Sequence, residues 1–144
     1  MDPREFLRVA SELVAVTGAT PARVRTSVSR AYYAAYNTGV ELLTEMGLTI
    51  DKSPKGHAAV YMRLHNSGDV EVEKAGSQLS DLLGKRIKAD YRLDDRDVEY
   101  QKTAQADIEV ARRIIQILDA CRNGSRRTLI IKAIRDWERK TGEI

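Results

Sequence analysis

The stretch SVSRAYYAAYN, residues 27–37, indicates a packed helix. Its three alanines, together with Gly39, form a face of small residues that predicts close approach of a neighbouring helix. Arg30 lies in the middle of this otherwise apolar stretch, so we expect its guanidinium to be partly buried. A buried guanidinium needs an anionic partner or carbonyl acceptors.

Helical spacing of apolar residues continues on both sides of this stretch. The N-cap and capping-box signals in residues 2–5 predict a first helix, which Gly18 stops. Thr20-Pro21 opens a second, longer helix that ends at Gly47. A polar loop over residues 49–56 and a short third helix follow. These signals place residues 27–37 inside the longest predicted helix.

The second half of the chain reads as three further helices. The fourth ends near Asp90-Tyr91, and Asp94-Asp95 is predicted to cap a fifth, which ends at Asn123-Gly124. Ser125 is predicted to cap the last helix. The sequence therefore predicts an all-α fold, an antiparallel bundle of four to five helices over residues 1–122. An appended amphipathic C-terminal helix occupies residues 123–144.

The C-terminal helix carries the net charge of the chain. The whole sequence has 24 Lys and Arg against 21 Asp and Glu, a formal charge of +3, and residues 123–144 alone have six against three. We expect its apolar side to pack on its own bundle or on a second subunit. Contact of its arginines with an RNA backbone and binding to a membrane surface are the alternatives. That apolar side consists of Leu129, Ile130, Ala133, Ile134 and Trp137.

Several chemistries find no support in the sequence. His57, His65 and the single Cys121 have no metal-ligand spacing, so no metal site is expected, and Cys121 reads as a small buried apolar residue. There is no glycine-rich phosphate loop or nucleophile elbow, and no cofactor is implied. No signal peptide and no apolar run of about 18 residues is seen, so we expect a cytoplasmic protein that does not use a membrane.

Two polar clusters are candidates for a site. Arg30, Tyr33 and Asn37 share one helix face, at i, i+3 and i+7. In the segment KRIKADY, residues 85–91, Arg86 and Asp90 are one turn apart, and we expect Asp90 to neutralise Arg30 across the bundle. In a purely structural interpretation, these residues and the tyrosines form an interior network that fixes helix register.

These residues also carry a family resemblance. SRAYYAAY, residues 29–36, resembles the S-R-A-Y-Y-A-x-F signature helix of the HEPN superfamily (higher eukaryotes and prokaryotes nucleotide-binding domains). RIKADY, residues 86–91, resembles its R-x-x-A-D-Y element, and KGHAAV, residues 55–60, resembles its connecting loop and short helix. The order and spacing agree over residues 5–121.

The resemblance implies a helical bundle that forms a homodimer and binds RNA or a nucleotide. It also implies a setting in toxin–antitoxin or antiviral-defence systems, with an antitoxin or a nucleotidyltransferase as partner. Arg30 and Arg86 would hold phosphate in such a protein, in a cleft with other polar and aromatic groups. The full set of expected binding residues is Arg30, Tyr33, Asn37, His57, Arg86, Asp90 and Tyr91.

The sequence departs from the nuclease members of that superfamily. Those members carry an Arg, then four to six intervening residues, then a His, and neither His57 nor His65 has an Arg at that spacing. Asn37 stands where relatives often have His, and an amide cannot act as a general acid or base near pH 7. Binding without cleavage is therefore the first prediction. The alternatives are a metal-independent endoribonuclease with a non-standard site, with Arg30 and His57 as catalytic candidates, and a structural or adaptor dimer.

Overall fold

A computed structural model describes residues 1–142, and within that range the chain contains only helices and their connections. This confirms the all-α prediction. None of the helices over residues 1–142 has both the length and the apolar character of a membrane span. The α-helices are α1 (Arg4–Leu13), α2 (Pro21–Glu45), α3 (Lys55–His65), α4 (Val70–Tyr91), α5 (Gln101–Asp119) and α6 (Gly124–Thr141), and a short 3-10 helix (Arg96–Glu99) precedes α5.

Side-chain caps set several of the boundaries that the sequence predicts. Thr20 Oγ1 accepts the Arg23 N–H at the start of α2, and Asp69 Oδ1 accepts the Val72 N–H at the start of α4. The predicted cap at Asp95 exists, but it accepts the Asp97 N–H and opens the 3-10 helix. The fifth helix therefore begins later than predicted, at Gln101.

Three other predicted boundaries differ from the structure. The fifth helix ends at Asp119, before the predicted end at Asn123-Gly124. The first helix ends at Leu13, before Gly18, whose φ of +67° belongs to the following turn. The last helix begins at Gly124 with Asn123 in the cap position, so the prediction that Ser125 caps it is wrong. Helical spacing predicts the body of a helix more accurately than its first and last turns, and all of these differences lie at helix ends.

The long helix α2 is the centre of the bundle and packs against α1, α3, α4 and α5. The start of α2 lies against the ends of α1 and α4, since Arg23 bonds the Leu13 carbonyl and Ser29 bonds Asp90. These two neighbours are therefore antiparallel to α2. The helix α5 runs parallel to α2, because Gln101 at its start bonds Ala19 and Arg122 after its end reaches Glu45.

The small residues of α2 let its neighbours approach closely, as the sequence predicts. A Cβ built on Gly39 would lie 2.9 Å from Val60 Cγ1 of α3, which is too close for a side chain of any size. Tyr32, in the same helix, is fully buried among the aliphatic residues of the core. Cys121 is also fully buried, as predicted. Close helix contact and a buried aromatic ring thus coexist in residues 27–39.

The helix α6 packs on its own bundle. Ile130 and Ile134 are fully buried and belong to the single hydrophobic core. Glu138, also buried, accepts a hydrogen bond from Arg63 Nε of α3 at 2.7 Å. Leu129, which the sequence places on the packed side, is 66% exposed, so the buried stripe is narrower than predicted.

Candidate functional site

Three helices bring five side chains into one alternating row. The Arg30 guanidinium lies 4.9 Å from the Phe6 ring centroid and 5.0 Å from that of Tyr33. The Arg86 guanidinium lies 5.0 Å from the same Tyr33 centroid and 5.3 Å from that of Tyr91. We call Phe6, Arg30, Tyr33, Arg86 and Tyr91 the arginine–aromatic ladder. Each contact is within the distance at which a cation interacts with an aromatic ring.

Helix geometry explains how the ladder forms. Arg30 and Tyr33 are one turn apart on α2, so their side chains are neighbours on one face. Arg86 and Tyr91 come from the last turns of α4, which ends beside the first half of α2. Phe6 is supplied by the antiparallel α1. Phe6 was not among the residues expected from the sequence, because nothing local in α1 shows which side of α2 it contacts.

Arg30 has no acidic partner within residues 1–142. Its shortest polar contact is a weak one of 3.4 Å from Nη2 to Ser29 Oγ, and no carboxylate of residues 1–142 makes a salt bridge with it. The prediction that Asp90 neutralises Arg30 is wrong. The Asp90 carboxylate instead accepts a hydrogen bond from Ser29 Oγ at 3.1 Å and lies beside Arg86. Most N–H donors of the Arg30 guanidinium therefore make no hydrogen bond to residues 1–142.

Arg86 is held more tightly than Arg30. Its Nε lies 2.9 Å from Asp90 Oδ2, one turn further along α4, and its side chain is only 14% exposed. The buried Nε–H nevertheless makes no well-aligned hydrogen bond with any residue that the structure describes. Asp90 therefore offsets part of the Arg86 charge and leaves donors of its guanidinium unused.

His57 lies in a cage of three tyrosines at the other side of Tyr33. Its Nδ1 is 2.6 Å from the Tyr32 hydroxyl, and its ring centroid is 4.6 Å from that of Tyr36 and 6.1 Å from that of Tyr33. Burial lowers the pKa of His57, and the nearby positive charge of Arg86 lowers it further. The imidazole is therefore neutral at pH 7.

Two of the caging tyrosines are also shifted. Burial, with the neighbouring tyrosines, raises the pKa of the Tyr32 hydroxyl far above its ordinary value. Burial raises the pKa of Tyr36 as well, with smaller contributions from Tyr33 and Asp51. Both hydroxyls stay protonated at any physiological pH. They act as hydrogen-bonding groups and not as bases.

A glycine brings the His57 helix close to the preceding loop. A Cβ built on Gly56 would lie 2.1 Å from the Asp51 carbonyl oxygen and 3.1 Å from the Tyr36 hydroxyl. No side chain fits at that position without moving the loop. The close approach at Gly56 therefore fixes where His57 sits relative to α2.

The remaining expected residues lie at the edges. Tyr91 is 70% exposed at the end of α4, and its ring is open to solvent beyond its contact with Arg86. Asn37 shares the α2 face with Arg30 and Tyr33, but its amide donates to the Tyr33 carbonyl at 2.9 Å and lines a separate groove. The structure thus groups the two arginines, two tyrosines and Asp90, places His57 next to them, and sets Asn37 apart.

A second arginine of α2, Arg25, holds the end of α4, the helix that carries Arg86 and Tyr91. It is only 7% exposed, and its guanidinium donates to Glu99 Oε2 and to five backbone carbonyls. These carbonyls, at residues 88, 89, 92, 93 and 95, include the last turn of α4 and the connection that follows Tyr91. No local pattern signals this role, since the acceptors come from more than 60 positions away.

The cluster has the chemistry of an anion site. It combines a guanidinium that has no acidic partner among the described residues, a second guanidinium partly offset by one carboxylate, and exposed aromatic surface. Among residues 1–142, no group of three or more His, Cys, Asp or Glu side chains is arranged to hold a metal ion. Comparison with known proteins gave no match to a protein-family model, to a curated protein or to a solved structure.

Proposed function

We propose that this protein binds RNA or a nucleotide through the arginine–aromatic ladder, as an HEPN-superfamily protein of the cytoplasm. The observation that carries the proposal is the pair of guanidiniums on either side of Tyr33, since no carboxylate in the described part of the chain pairs with Arg30. Guanidinium forks match the geometry of phosphate, and aromatic rings stack with bases.

The charges of the ladder favour an anionic ligand over a cationic or neutral one. The Arg30 guanidinium contacts the Phe6 ring, the Tyr33 ring and the Ser29 hydroxyl, and none of these groups is a carboxylate. A phosphate near Arg30 and Arg86 would meet one carboxylate, Asp90, which Ser29 and Arg86 already engage. The ring of Tyr91, exposed beside Arg86, supports stacking with a base next to that phosphate.

The segments that resemble the HEPN signatures supply four of the five ladder residues, Phe6 being the exception. On that resemblance we propose that the protein works as a homodimer, in a toxin–antitoxin or antiviral-defence system with an antitoxin or nucleotidyltransferase partner. The nucleic-acid proposal does not depend on the C-terminal helix. Its Arg126 is engaged by Asp69 and Glu71, and its Lys132 and Arg139 by Asp136.

A titration of a labelled single-stranded RNA at low salt tests the binding proposal. Arg30→Ala and Arg86→Ala are each expected to weaken binding at least tenfold and to reduce its salt dependence. Arg30→Lys keeps the charge but loses the fork, so it is expected to restore only part of the affinity. Arg113→Ala, at an exposed site on α5, removes the same charge and is expected to bind like the wild type.

An endoribonuclease is the second candidate, and the position of His57 favours it. The imidazole is neutral at pH 7 and close enough to Arg86 for that charge to lower its pKa. A neutral imidazole can take a proton from a ribose 2′-hydroxyl while an arginine stabilises the phosphate charge. In the tautomer in which Nδ1–H donates to the Tyr32 hydroxyl oxygen, Nε2 is the unprotonated nitrogen that can take that proton.

Cleavage is tested by incubating RNA with the protein in the presence of EDTA. Loss of cleavage in both Arg30→Ala and His57→Ala would support the nuclease. Salt-sensitive binding without cleavage would support the binding protein. No binding at low salt by wild-type protein would contradict both proposals and favour a structural or adaptor dimer, whose polar cluster serves packing alone.

A further inference from the structure

A groove with a volume of about 460 Å³ lies beside the second half of α2. Its walls include Tyr36, Val40, Leu48 and Ile50, and polar groups of Asn37 and Asp51 lie at its edge. A concave surface with apolar walls and a few polar groups is the usual form of a site for a small planar ligand.

The groove continues the ladder along the same helix. Arg30, Tyr33, Asn37 and Val40 follow one another at i, i+3, i+7 and i+10, which keeps them on one face of α2. The Tyr36 ring, which forms one wall, has its centroid 6.3 Å from that of Tyr33, the ring that contacts both guanidiniums. The contact between the Tyr36 and Tyr33 rings therefore links the groove to the two guanidiniums.

The polar residues that line the groove, Asn37 and Asp51, can form hydrogen bonds with the edge of a base. The Asn37 side chain uses one N–H for the Tyr33 carbonyl, and its amide oxygen makes no bond to any residue among 1–142. Asp51 Oδ1 accepts the Ser53 N–H at 2.7 Å, and the carboxylate keeps further acceptor capacity. Base edges carry N–H donors that such oxygens accept, while the ring faces need apolar walls.

We infer that this groove binds an unpaired base of a single-stranded nucleic acid whose phosphates lie on Arg30 and Arg86, an inference that rests on the proposed function. The spacing sets the length of strand involved. Arg30 and Asn37 are seven residues apart, so about 10 Å separates them along the helix. Stacked nucleotides advance by about 3.4 Å, so the strand reaches the groove after about three steps.

Oligonucleotides of two lengths test this inference. The probes are 2′-O-methyl dinucleotides and tetranucleotides of adenine with a 5′-phosphate and a 3′ fluorescent label, so that even the dinucleotide has two phosphates for the two arginines. Methylation of the 2′-oxygen blocks cleavage by the 2′-hydroxyl, and the readout is anisotropy at low salt. Both lengths reach the arginines, but only the tetranucleotide reaches the groove. We expect wild-type protein to bind the tetranucleotide roughly tenfold more tightly than the dinucleotide.

A variant that fills the groove isolates its contribution. Thr44 is exposed and lines the groove, so Thr44→Trp is expected to remove the advantage of the tetranucleotide while leaving dinucleotide binding unchanged. Thr128→Trp, at an exposed position of α6, is the matched control and is expected to keep that advantage.

The outcomes separate this inference from the function on which it rests. Equal affinity of wild-type protein for the two lengths, or an advantage that survives in Thr44→Trp, would overturn the groove assignment and leave the phosphate site on the arginines standing. Binding of neither oligonucleotide at low salt would overturn both.

Discussion

The Tyr32 hydroxyl of α2 lies 2.6 Å from Nδ1 of His57 in α3, although 25 residues separate the two in sequence. Tyr32 is fully buried, and its phenol stays protonated because burial raises its pKa. The same environment lowers the pKa of His57. This pair joins the centre of the bundle to the edge of the candidate site, so the charge of His57 is coupled to folding.

The His57 shift predicts how stability changes with pH. Its pKa is lower in the folded than in the unfolded protein, where it is about 6.5, so the unfolded state binds more protons on acidification. The contribution of His57 is therefore fully present above about pH 6.5 and is lost as the pH falls towards the folded pKa. We expect the melting temperature of His57→Gln to decrease less than that of the wild type between pH 7 and pH 5.

The second histidine provides the control for that measurement. His65 is exposed at the end of α3 and bonds Ser77, away from the tyrosine cage. We expect His65→Gln to keep the wild-type difference between the two pH values. If the melting temperature of His57→Gln decreased between pH 7 and pH 5 by as much as that of the wild type, the charge of His57 would not be linked to folding.

Arg25 is expected to matter for stability far more than Arg30. Its buried guanidinium bonds Glu99 and holds the end of α4 and the following connection. Arg25→Lys keeps a charge but cannot reproduce these bonds, so we expect a loss of about 3 kcal/mol in the free energy of unfolding. Arg30→Ala removes partly exposed cation–aromatic contacts and is expected to cost about 1 kcal/mol. Urea denaturation of the two variants compares these values, and a larger loss for Arg30→Ala would contradict the assignment.

The contrast between the two arginines shows where sequence reasoning stopped. Both lie on α2, five residues apart, and helical spacing marks Arg30 as the one inside the apolar stretch. The deeper of the two is Arg25, because its acceptors are carbonyls of a distant connection whose path no local pattern specifies. For the same reason we predicted from the sequence that Asp90 pairs with Arg30. In the structure Asp90 lies beside Arg86, one turn away on α4.

Contacts within one helix were more predictable than contacts between helices. The neighbours Arg30 and Tyr33, and likewise Arg86 and Asp90, follow from helix periodicity alone, and the structure has both. The start of α2 at Thr20-Pro21 belongs to the same local class. Phe6 was missed because its contact with Arg30 depends on how α1 and α2 are rotated about their axes.

Two helical glycines predict opposite effects of the same substitution. A Cβ on Gly76 would lie 2.6 Å from the His65 backbone nitrogen and 2.9 Å from the Tyr61 carbonyl oxygen, so Gly76→Ala must push α3 and α4 apart. Gly84, in the same helix, has nothing within 4 Å of that position. We expect Gly84→Ala to stabilise the protein by about 1 kcal/mol and Gly76→Ala to destabilise it by more than that. Thermal unfolding of both variants measures the difference, and a stabilising Gly76→Ala would show that the two helices can separate freely.

The ion pair of Arg63 and Glu138 predicts what holds α6 on the bundle. Their side chains are 14% and 8% exposed, and Nε donates to Oε1 at 2.7 Å. Glu138→Ala leaves the Arg63 charge buried without its partner, so we expect a loss of about 3 kcal/mol and faster amide exchange in Gly124–Thr141 than in α2. Leu129→Ala, on the exposed side, is expected to cost no more than about 0.5 kcal/mol.

Because removing both charged partners leaves no unpaired buried charge, Arg63→Met combined with Glu138→Leu should recover much of the lost stability. Uniform exchange across all helices in Glu138→Ala would instead mean that α6 unfolds only together with the whole bundle.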